Sequence, residues 1–322
     1  MTILTALQPW AIILIIVAAV LVGGGLIFSI VLTFYIANQV YLNTLVRKSP
    51  DHWGRVCSAP DHPEQSKMWD DGLEWGKENK QYMTEVSIKS EEGFKLVGEF
   101  FNFGHNRTVI ILSGRCECCW YSYYYALPYQ KAGYNVLVID ARAHGNSEGK
   151  YSTAGIKESD DVVRWMEFLN KEYNQEKFAL HCICIGATAG LLAATSPRGK
   201  HLVEKICLDG AYISFKESYK QHYKAKGHAL FPVYYEIWVL FRLFTGVSVN
   251  KSYPLKIIKN VDVPILFIFG KKDIFSLKEK SELLINAYPH EKVVKWFEEG
   301  SHSHLRFANT FEYDETIISF MK

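Results

Sequence analysis

The chain has 322 residues, of which 48% are hydrophobic, and its 36 Lys and Arg against 34 Asp and Glu leave a formal net charge of +2. A charge this close to zero gives no basic footprint for a nucleic acid, so a nucleic acid is not an expected partner. Residues 1–46 contain no Asp, Glu, Lys or Arg, and every charged side chain falls in residues 47–322, which are long enough for one large core.

Residues 1–46 are predicted to be an N-terminal transmembrane anchor. The stretch from Trp10 to Ala37 is almost wholly apolar, and it is longer than the roughly 20 residues that cross a hydrocarbon core of about 30 Å. Trp10 at one end and Tyr35 and Tyr41 at the other suit the two membrane interfaces. A cleaved signal peptide fits less well, because it needs a basic segment and an apolar core of only about 7 to 15 residues.

The charges that flank the span predict its orientation. Arg47, Lys48 and Arg55 follow it, and no basic residue precedes it, so the positive-inside rule favours a single-pass protein with its larger part in the cytoplasm. The seven cysteines agree, because their number is odd and five of them are bunched rather than spaced like disulfide partners. The lipid bilayer is thus one expected partner.

Residues 47–81 are polar and are predicted to be a linker with a packing helix at about 63–76, and residues 82–322 to be the main domain. The runs "YMTEVSIKS" and "FKLVGEFFNF" flank the turn "EEG" and predict a β-hairpin. Five short apolar runs follow, each closed by Gly or Asp, as buried parallel strands are: "TVIILSG", "NVLVID", "FALHCICIG", "KICLDG" and "VPILFIFG". Helical patterns such as "SDDVVRWMEFLN" alternate with them. The class is therefore α/β, a mostly parallel sheet with helices on both faces and sites beyond the carboxyl ends of its strands.

The strand ends carry a family resemblance. "IILSGRCECCW", "VLVIDARAHGNSEG", "LHCICIGATAG", "FIFGKKDIFS" and "EEGSHSHLRF" occur in the order and spacing of the α/β-hydrolase family. The sequence resembles the bacterial membrane-anchored, esterase-like and serine-aminopeptidase-like members of that family over most of residues 80–322. The resemblance implies the α/β-hydrolase fold and a nucleophile, acid and histidine in that chain order.

The resemblance points to Cys184 as the nucleophile, where most relatives carry serine. The pattern G-x-S-x-G is matched only by "GNSEG", but a loop follows Ser147 rather than the immediate helix that a nucleophile elbow needs, so Ser147 is predicted to be a turn residue. In "HCICIGATAG" a strand runs directly into small residues, and aligning Gly186 with the second glycine puts Cys184 at the strained centre. Cys182 then replaces the first glycine. The alternative is that both thiols are buried core cysteines.

The resemblance also implies the other two members of a triad. His302 is the expected general base because relatives carry the catalytic histidine about seven residues before an Asn that opens the last helix, as Asn309 does here. His304 is the alternative base. Asp273, after the strand "FIFG", is the expected acid that orients the imidazole, although it could instead cap the next helix.

The same resemblance places the oxyanion hole at the backbone N–H groups of Ile185 and Arg115, although Ser113 replaces a usual histidine. Cys116, Cys118 and Cys119 lie in that loop, and their roles, like that of Cys182, stay open between lining the pocket, a reversible disulfide with Cys184 and a metal site. The C-x-C-C spacing offers no second ligand pair, so no metal or other cofactor is expected.

An insert at about 214–258, with "FPVYYEIWVLFRLF" at its centre, is predicted to form a small helical lid. Its aromatic residues would suit a small hydrophobic acyl substrate. The sequence therefore predicts a membrane-anchored hydrolase that cleaves an ester, thioester or lactone through Cys184, His302 and Asp273. Two alternatives remain open: a non-catalytic binding or redox-sensing module of the same fold, and an acyltransferase that uses the same thiol.

Overall fold

The computed structural model of the protein describes residues 8–322, so the first seven residues of the predicted anchor lie outside it. The chain enters through helix α1, Pro9–Thr44, which holds 36 residues. Among the described residues, α1 is the one helix that is long and apolar enough to cross a membrane, as its length and composition show. A helix of this length measures about 54 Å, well beyond the roughly 30 Å of a hydrocarbon core.

The domain is built on an eight-stranded sheet whose strand order is β1-β2-β4-β3-β5-β6-β7-β8. The strands are β1 Met83–Lys89, β2 Lys95–Phe101, β3 Arg107–Leu112, β4 Asn135–Ile139, β5 Lys177–Ile183, β6 Val203–Asp209, β7 Ile265–Gly270 and β8 Lys292–Phe297. Strand β2 pairs antiparallel with β1 and β4, and all other pairs are parallel. The predicted hairpin and the mostly parallel sheet are confirmed.

Helices cover both faces of the sheet. One layer contains α5 Glu158–Tyr173, α6 Gly186–Thr195, α9 Pro254–Ile257 and α10 Lys278–Ala287. The other contains α2 Pro63–Glu78, α3 Cys119–Ser122, α4 Leu127–Lys131, α11 Leu305–Ala308 and α12 Thr310–Met321. The α5 residues Val162, Trp165, Met166 and Leu169 are buried against the sheet, as their helical spacing predicts.

The insert between β6 and β7 forms two further helices, α7 Phe215–Ala225 and α8 Val233–Thr245. Their aromatic side chains do not join either sheet layer but form a separate apolar cluster with the end of α1. Ala37, Tyr41 and Leu45 have no solvent exposure in this cluster. The last three turns of α1 are therefore part of the globular domain, which positions α1 beside the carboxyl ends of the strands.

The segment between α1 and α2 lies flat on the domain. The guanidinium of Arg47 donates to the carbonyl oxygens of Gly145 (2.6 Å) and Ser147 (3.1 Å), and the Trp53 ring stacks on His144 at 4.8 Å. Val46 forms an isolated β-bridge with Tyr151. These contacts hold the chain against the sheet as soon as it leaves α1.

Candidate active site

Cys184 lies at a sharp turn between a strand and a helix. Strand β5 ends at Ile183 and α6 begins at Gly186, so the turn has only two residues. Cys184 has φ +50°, a backbone conformation that a non-glycine residue adopts at a cost and that is typical of a nucleophile elbow. Its N–H donates to the carbonyl oxygen of Asp209 on β6 (3.0 Å), which fixes the turn at the carboxyl edge of the sheet.

Two glycines allow this turn to form. A Cβ on Gly186 would lie 2.6 Å from the carbonyl oxygen of Leu112, so α6 can begin this close to β3 only with glycine there. A Cβ on Gly190 would overlap the sulfur of Cys182. Gly190, one helical turn into α6, therefore leaves the space that the Cys182 thiol occupies.

His302 and Asp273 meet beside this turn. The Nδ1–H of His302 donates to Asp273 Oδ2 at 2.7 Å. The other carboxylate oxygen of Asp273 accepts from the N–H groups of Phe275 (2.7 Å) and Ser276 (2.8 Å), so the carboxylate is held at both ends. The imidazole also lies within hydrogen-bonding reach of the Cys184 thiol. The structure therefore brings Cys184, His302 and Asp273 together.

His302 and Asp273 each stabilise the charged form of the other. Burial lowers the pKa of His302, but the negative charge of the Cys184 sulfur and the hydrogen bond to Asp273 outweigh burial and raise it well above 6.5. Burial raises the pKa of Asp273, but the hydrogen bond and charge of His302, together with the N–H groups of Ser276 and Phe275, outweigh burial, so its pKa is lowered. The raised pKa of His302 favours an imidazolium beside the Asp273 carboxylate.

Gly210 makes room for the imidazole, and the sequence reasoning missed it. It has φ +60°, and a Cβ there would lie 3.1 Å from Cε1 of His302. The Asp-Gly pair that closes β6 was the available signal. Its neighbour Asp209 is buried, accepts a hydrogen bond from the Tyr313 hydroxyl (2.6 Å) and has a pKa raised to about 6 by burial.

His304 lies away from the triad. Its Nε2–H donates to the amide oxygen of Gln65 on α2 (2.6 Å), and its Nδ1 contacts the Ser301 hydroxyl (2.9 Å). His62, Glu64 and His304 are the one group of metal-ligating side chains that lies close together in residues 8–322, and it contains no cysteine. Both ring nitrogens of His304 are thus occupied within the protein.

Ser147 is a turn residue. Its hydroxyl donates to the carbonyl oxygen of Asp140 (2.6 Å) and accepts from the N–H of Val97 (2.8 Å), and the residue is 2% exposed. It therefore joins β2 to the end of β4 and does not face the pocket.

Ile185 and Arg115 are the residues predicted to form an oxyanion hole, and both line the cavity beside Cys184. Ile185 directly follows Cys184 at the start of α6, and Arg115 follows Gly114 in the loop after β3. Within the described part of the chain, neither backbone N–H donates a hydrogen bond, so both are free for a substrate oxygen. The Arg115 guanidinium contacts the carbonyl oxygen of Thr44 (3.2 Å), which joins this loop to the end of α1.

All seven cysteines are free thiols. Cys118 and Cys119 are buried behind the loop, and burial raises the pKa of Cys118 to about 12. Cys116 has φ +72°, lies beside Arg115 and has a pKa raised by burial. Cys182 is buried in the core with a raised pKa. Cys184 is thus the thiol that the fold presents at the elbow.

A cavity of about 230 Å³ opens in front of Cys184. Arg115, Cys184 and Ile185 form its floor, and aromatic residues of the insert form one wall. Val40, Asn43 and Thr44 of α1 form the other wall, which the sequence reasoning did not predict. Nothing in an apolar run shows which of its faces will meet a domain that is distant in the sequence.

Comparisons with known proteins agree with this fold. The chain is 28% identical over 227 residues to the uncharacterized protein YqkD of Bacillus subtilis, a match that covers 66% of this chain and 70% of that protein. Among solved structures it is similar to the Pyrococcus furiosus esterase Pf2001, with a TM-score of 0.61, 23% identity, and coverage of 76% of this chain and 94% of that one. A Vibrio vulnificus α/β hydrolase has a TM-score of 0.59 at 19% identity and covers 89% of this chain and 93% of its own. No family model matches.

The architecture defines the class of protein. A mostly parallel eight-stranded sheet, a strand-to-helix elbow and these structural neighbours show that the chain has the α/β-hydrolase fold, as the sequence predicted. The particular protein is distinguished by two features: a cysteine at the elbow and an N-terminal helix whose last turns line the pocket.

Proposed function

We propose that the protein is a membrane-anchored hydrolase that cleaves an ester, thioester or lactone of a hydrophobic acyl substrate through Cys184, His302 and Asp273. The observation that carries the proposal is the strained turn of Cys184 beside an imidazole that Asp273 orients. The esterases among the structural neighbours support the reaction class, since their fold matches most of this chain.

The residues have distinct roles in this mechanism. The Cys184 sulfur attacks the acyl carbon, and the N–H groups of Ile185 and Arg115 stabilise the oxygen that becomes negative. His302 then gives its proton to the leaving oxygen, or to sulfur in a thioester, and the acyl group stays on Cys184 as a thioester. His302 next takes a proton from water, the hydroxide attacks the thioester, and the acid leaves as the thiolate re-forms.

The test uses full-length protein in mild detergent with acyl esters of increasing chain length. Wild type should release the alcohol, and mass spectrometry should detect the acyl group on Cys184. Cys184→Ala should lose turnover, whereas Cys57→Ala, a thiol distant from the elbow, should keep it. Full turnover in folded Cys184→Ala would exclude this mechanism.

Two other outcomes identify the alternative functions. Transfer of the acyl group to an added alcohol faster than to water would identify an acyltransferase that uses the same thiol. Absence of both turnover and acyl adduct in wild type would identify a non-catalytic module.

The proposed location is a single α1 span with the domain in the cytoplasm, because Arg47, Lys48 and Arg55 follow the span. An impermeant thiol reagent should leave the protein unmodified in intact cells and should modify at least one cysteine once the membrane is opened. Cys57, Cys116 and Cys184 are the partly exposed thiols that can report. Strong labelling of the protein in intact cells would contradict the proposed orientation and place the domain outside the cytoplasm.

A further inference from the structure

Helices α1 and α8 run side by side. The hydroxyl of Thr33 donates to the Glu236 carboxylate at 2.8 Å, and the ring of Tyr41 stacks on Phe244 at 5.6 Å. The two contacts lie eight residues apart on both helices, or about 12 Å at 1.5 Å per residue. The helices therefore point in the same direction and stay level with each other along this length.

This alignment fixes the level of the start of α8. Val233, the first residue of α8, precedes Glu236 by three residues, which places it about 4.5 Å beyond the level of Thr33, level with the exposed Ile30 of α1, and Phe231 precedes Val233 by two residues. There α1 is uncovered: Ile27 and Phe28 are exposed, and the residues around them are apolar. The start of α8 thus extends alongside the part of α1 that is suited to contact lipid.

The outer face of α8 is apolar at every fourth position. Within the helix, Tyr235 is 52% exposed, Val239 56% and Leu243 72%. Phe231, two residues before the helix, is 82% exposed and continues this row, since its ring lies 6.5 Å from that of Tyr235. Residues at this spacing form one stripe along a helix, and a stripe of this kind facing water is unfavourable. We call these four residues the α8 stripe.

Basic side chains lie beside the start of the α8 stripe. Lys224 at the end of α7, and Lys226 and His228 in the segment that joins α7 to α8, are exposed. Lysines at the edge of an apolar surface suit the headgroup region of a membrane, where the chain can lie in apolar surroundings and the ammonium can reach anionic headgroups.

We propose that the start of the α8 stripe, at Phe231, is a second membrane contact, which reaches the bilayer beside α1 with the basic segment at the headgroups. Continuity with the exposed apolar face of α1 selects a bilayer as the occupant. The cavity supports this placement, because Val40 of α1 and Lys226 and His228 of the basic segment line it. If the proposed hydrolase function holds, the acyl substrate enters this cavity from the bilayer.

The first experiment needs no catalysis. The photoreactive residue p-benzoylphenylalanine replaces Phe231 in full-length protein in vesicles of phosphatidylcholine and phosphatidylglycerol that carry an alkyne-tagged acyl chain. Phe311 on α12 is the matched control, because it is the same residue type and is also 82% exposed. Ile27 in α1 is the positive control. We expect lipid adducts at positions 231 and 27, and several-fold fewer at 311.

Two results would overturn the proposal. One is labelling at position 231 no stronger than at 311 while position 27 is labelled. The other is a cross-link from position 231 to a second copy of the chain or to another protein in place of lipid.

A second experiment separates this proposal from the hydrolase function. Phe231→Glu combined with Tyr235→Glu should slow hydrolysis of an ester embedded in vesicles several-fold and leave hydrolysis of a short soluble ester unchanged, because neither residue lines the cavity. Phe311→Glu should change neither rate. If the double variant and the wild type hydrolyse the embedded ester at the same rate, the stripe has no role in reaching that substrate. Lipid adducts at position 231 without any ester hydrolysis in wild type would overturn the hydrolase function alone.

Discussion

At the scale of single residues, the proposed mechanism depends on the Cys184 sulfur and the His302 imidazole. A cysteine can hold negative charge near neutral pH, whereas a serine cannot, so replacing sulfur by oxygen changes more than nucleophilicity. Burial alone would leave His302 neutral, and its raised pKa follows from its anionic neighbours.

The pH dependence of the rate should therefore change with the nucleophile. In wild type the leaving group takes its proton from the imidazolium, so we expect the rate to fall as the pH rises through the raised pKa of His302. In Cys184→Ser the contribution of the sulfur to the raised pKa of His302 is lost, so that pKa falls, and a hydroxyl needs the neutral imidazole as its base. Its weak activity should rise with pH and should vanish in a variant that also lacks His302. If kcat/KM depends on pH in the same way in wild type and in Cys184→Ser, these roles of Cys184 and His302 are wrong.

The packing of Cys182 against Gly190 gives a stability prediction. Gly190→Ala should lower the free energy of unfolding by about 1–3 kcal/mol, because its methyl group would overlap the Cys182 sulfur. Cys182→Ala removes that sulfur, and the Cβ of residue 182 would then lie 3.7 Å from the new methyl group, an ordinary contact. Thermal unfolding of both single variants and the double variant measures the coupling. Additive losses would show that the sulfur does not fill this space.

At the scale of helices and strands, the sequence patterns predicted the elements that are buried on both faces. They did not indicate β8, because "KVVKWF" is an edge strand with two lysines, and Val293 and Val294 are exposed. The candidate triad positions followed from the resemblance of the strand-end motifs to the α/β-hydrolase family. The contribution of α1 to the pocket depends on packing between residues about 200 positions apart, which no local pattern encodes.

The contact between α1 and α8 should depend on one hydroxyl. Glu236 is 9% exposed, Oε1 accepts from Thr33, and Oε2 has no partner among residues 8–322. Thr33→Val removes the donor from a buried acceptor and should cost about 1–3 kcal/mol. Thr33→Ser keeps the hydroxyl and is the matched control. Adding Glu236→Leu to Thr33→Val should recover most of the loss in thermal unfolding, and failure to do so would assign the effect to shape instead of polarity.

At the scale of the whole molecule, α1 has two parts with different surroundings. Residues 9–32 are mostly apolar and largely exposed, whereas Ala37, Tyr41 and Leu45 are buried in the domain. Removing the first part and removing the whole helix are therefore different experiments.

A chain that starts at residue 29 should keep hydrolysis of short soluble esters, because it retains the α1 residues that line the pocket. A chain that starts at residue 46 loses Thr44, the contact of Arg115, and one wall of the cavity. Its rate should fall by about tenfold or more, since displacement of an oxyanion-hole loop weakens transition-state stabilisation. Steady-state kinetics beside circular dichroism separates this loss from unfolding. Equal activity of the two chains would show that α1 has no role beyond attachment.

Helix α1 passes into the domain without a flexible joint, since Leu45 is buried and Val46 already pairs with Tyr151. In the proposed membrane-anchored arrangement, this rigid connection holds the mouth of the cavity at a fixed distance from the plane of the bilayer. Such an enzyme searches in two dimensions, and its encounters are limited by lateral diffusion within one leaflet. The quantity that sets its rate is then the surface density of substrate among neighbouring lipids, so diluting the substrate with inert lipid should slow turnover even when the bulk concentration stays constant.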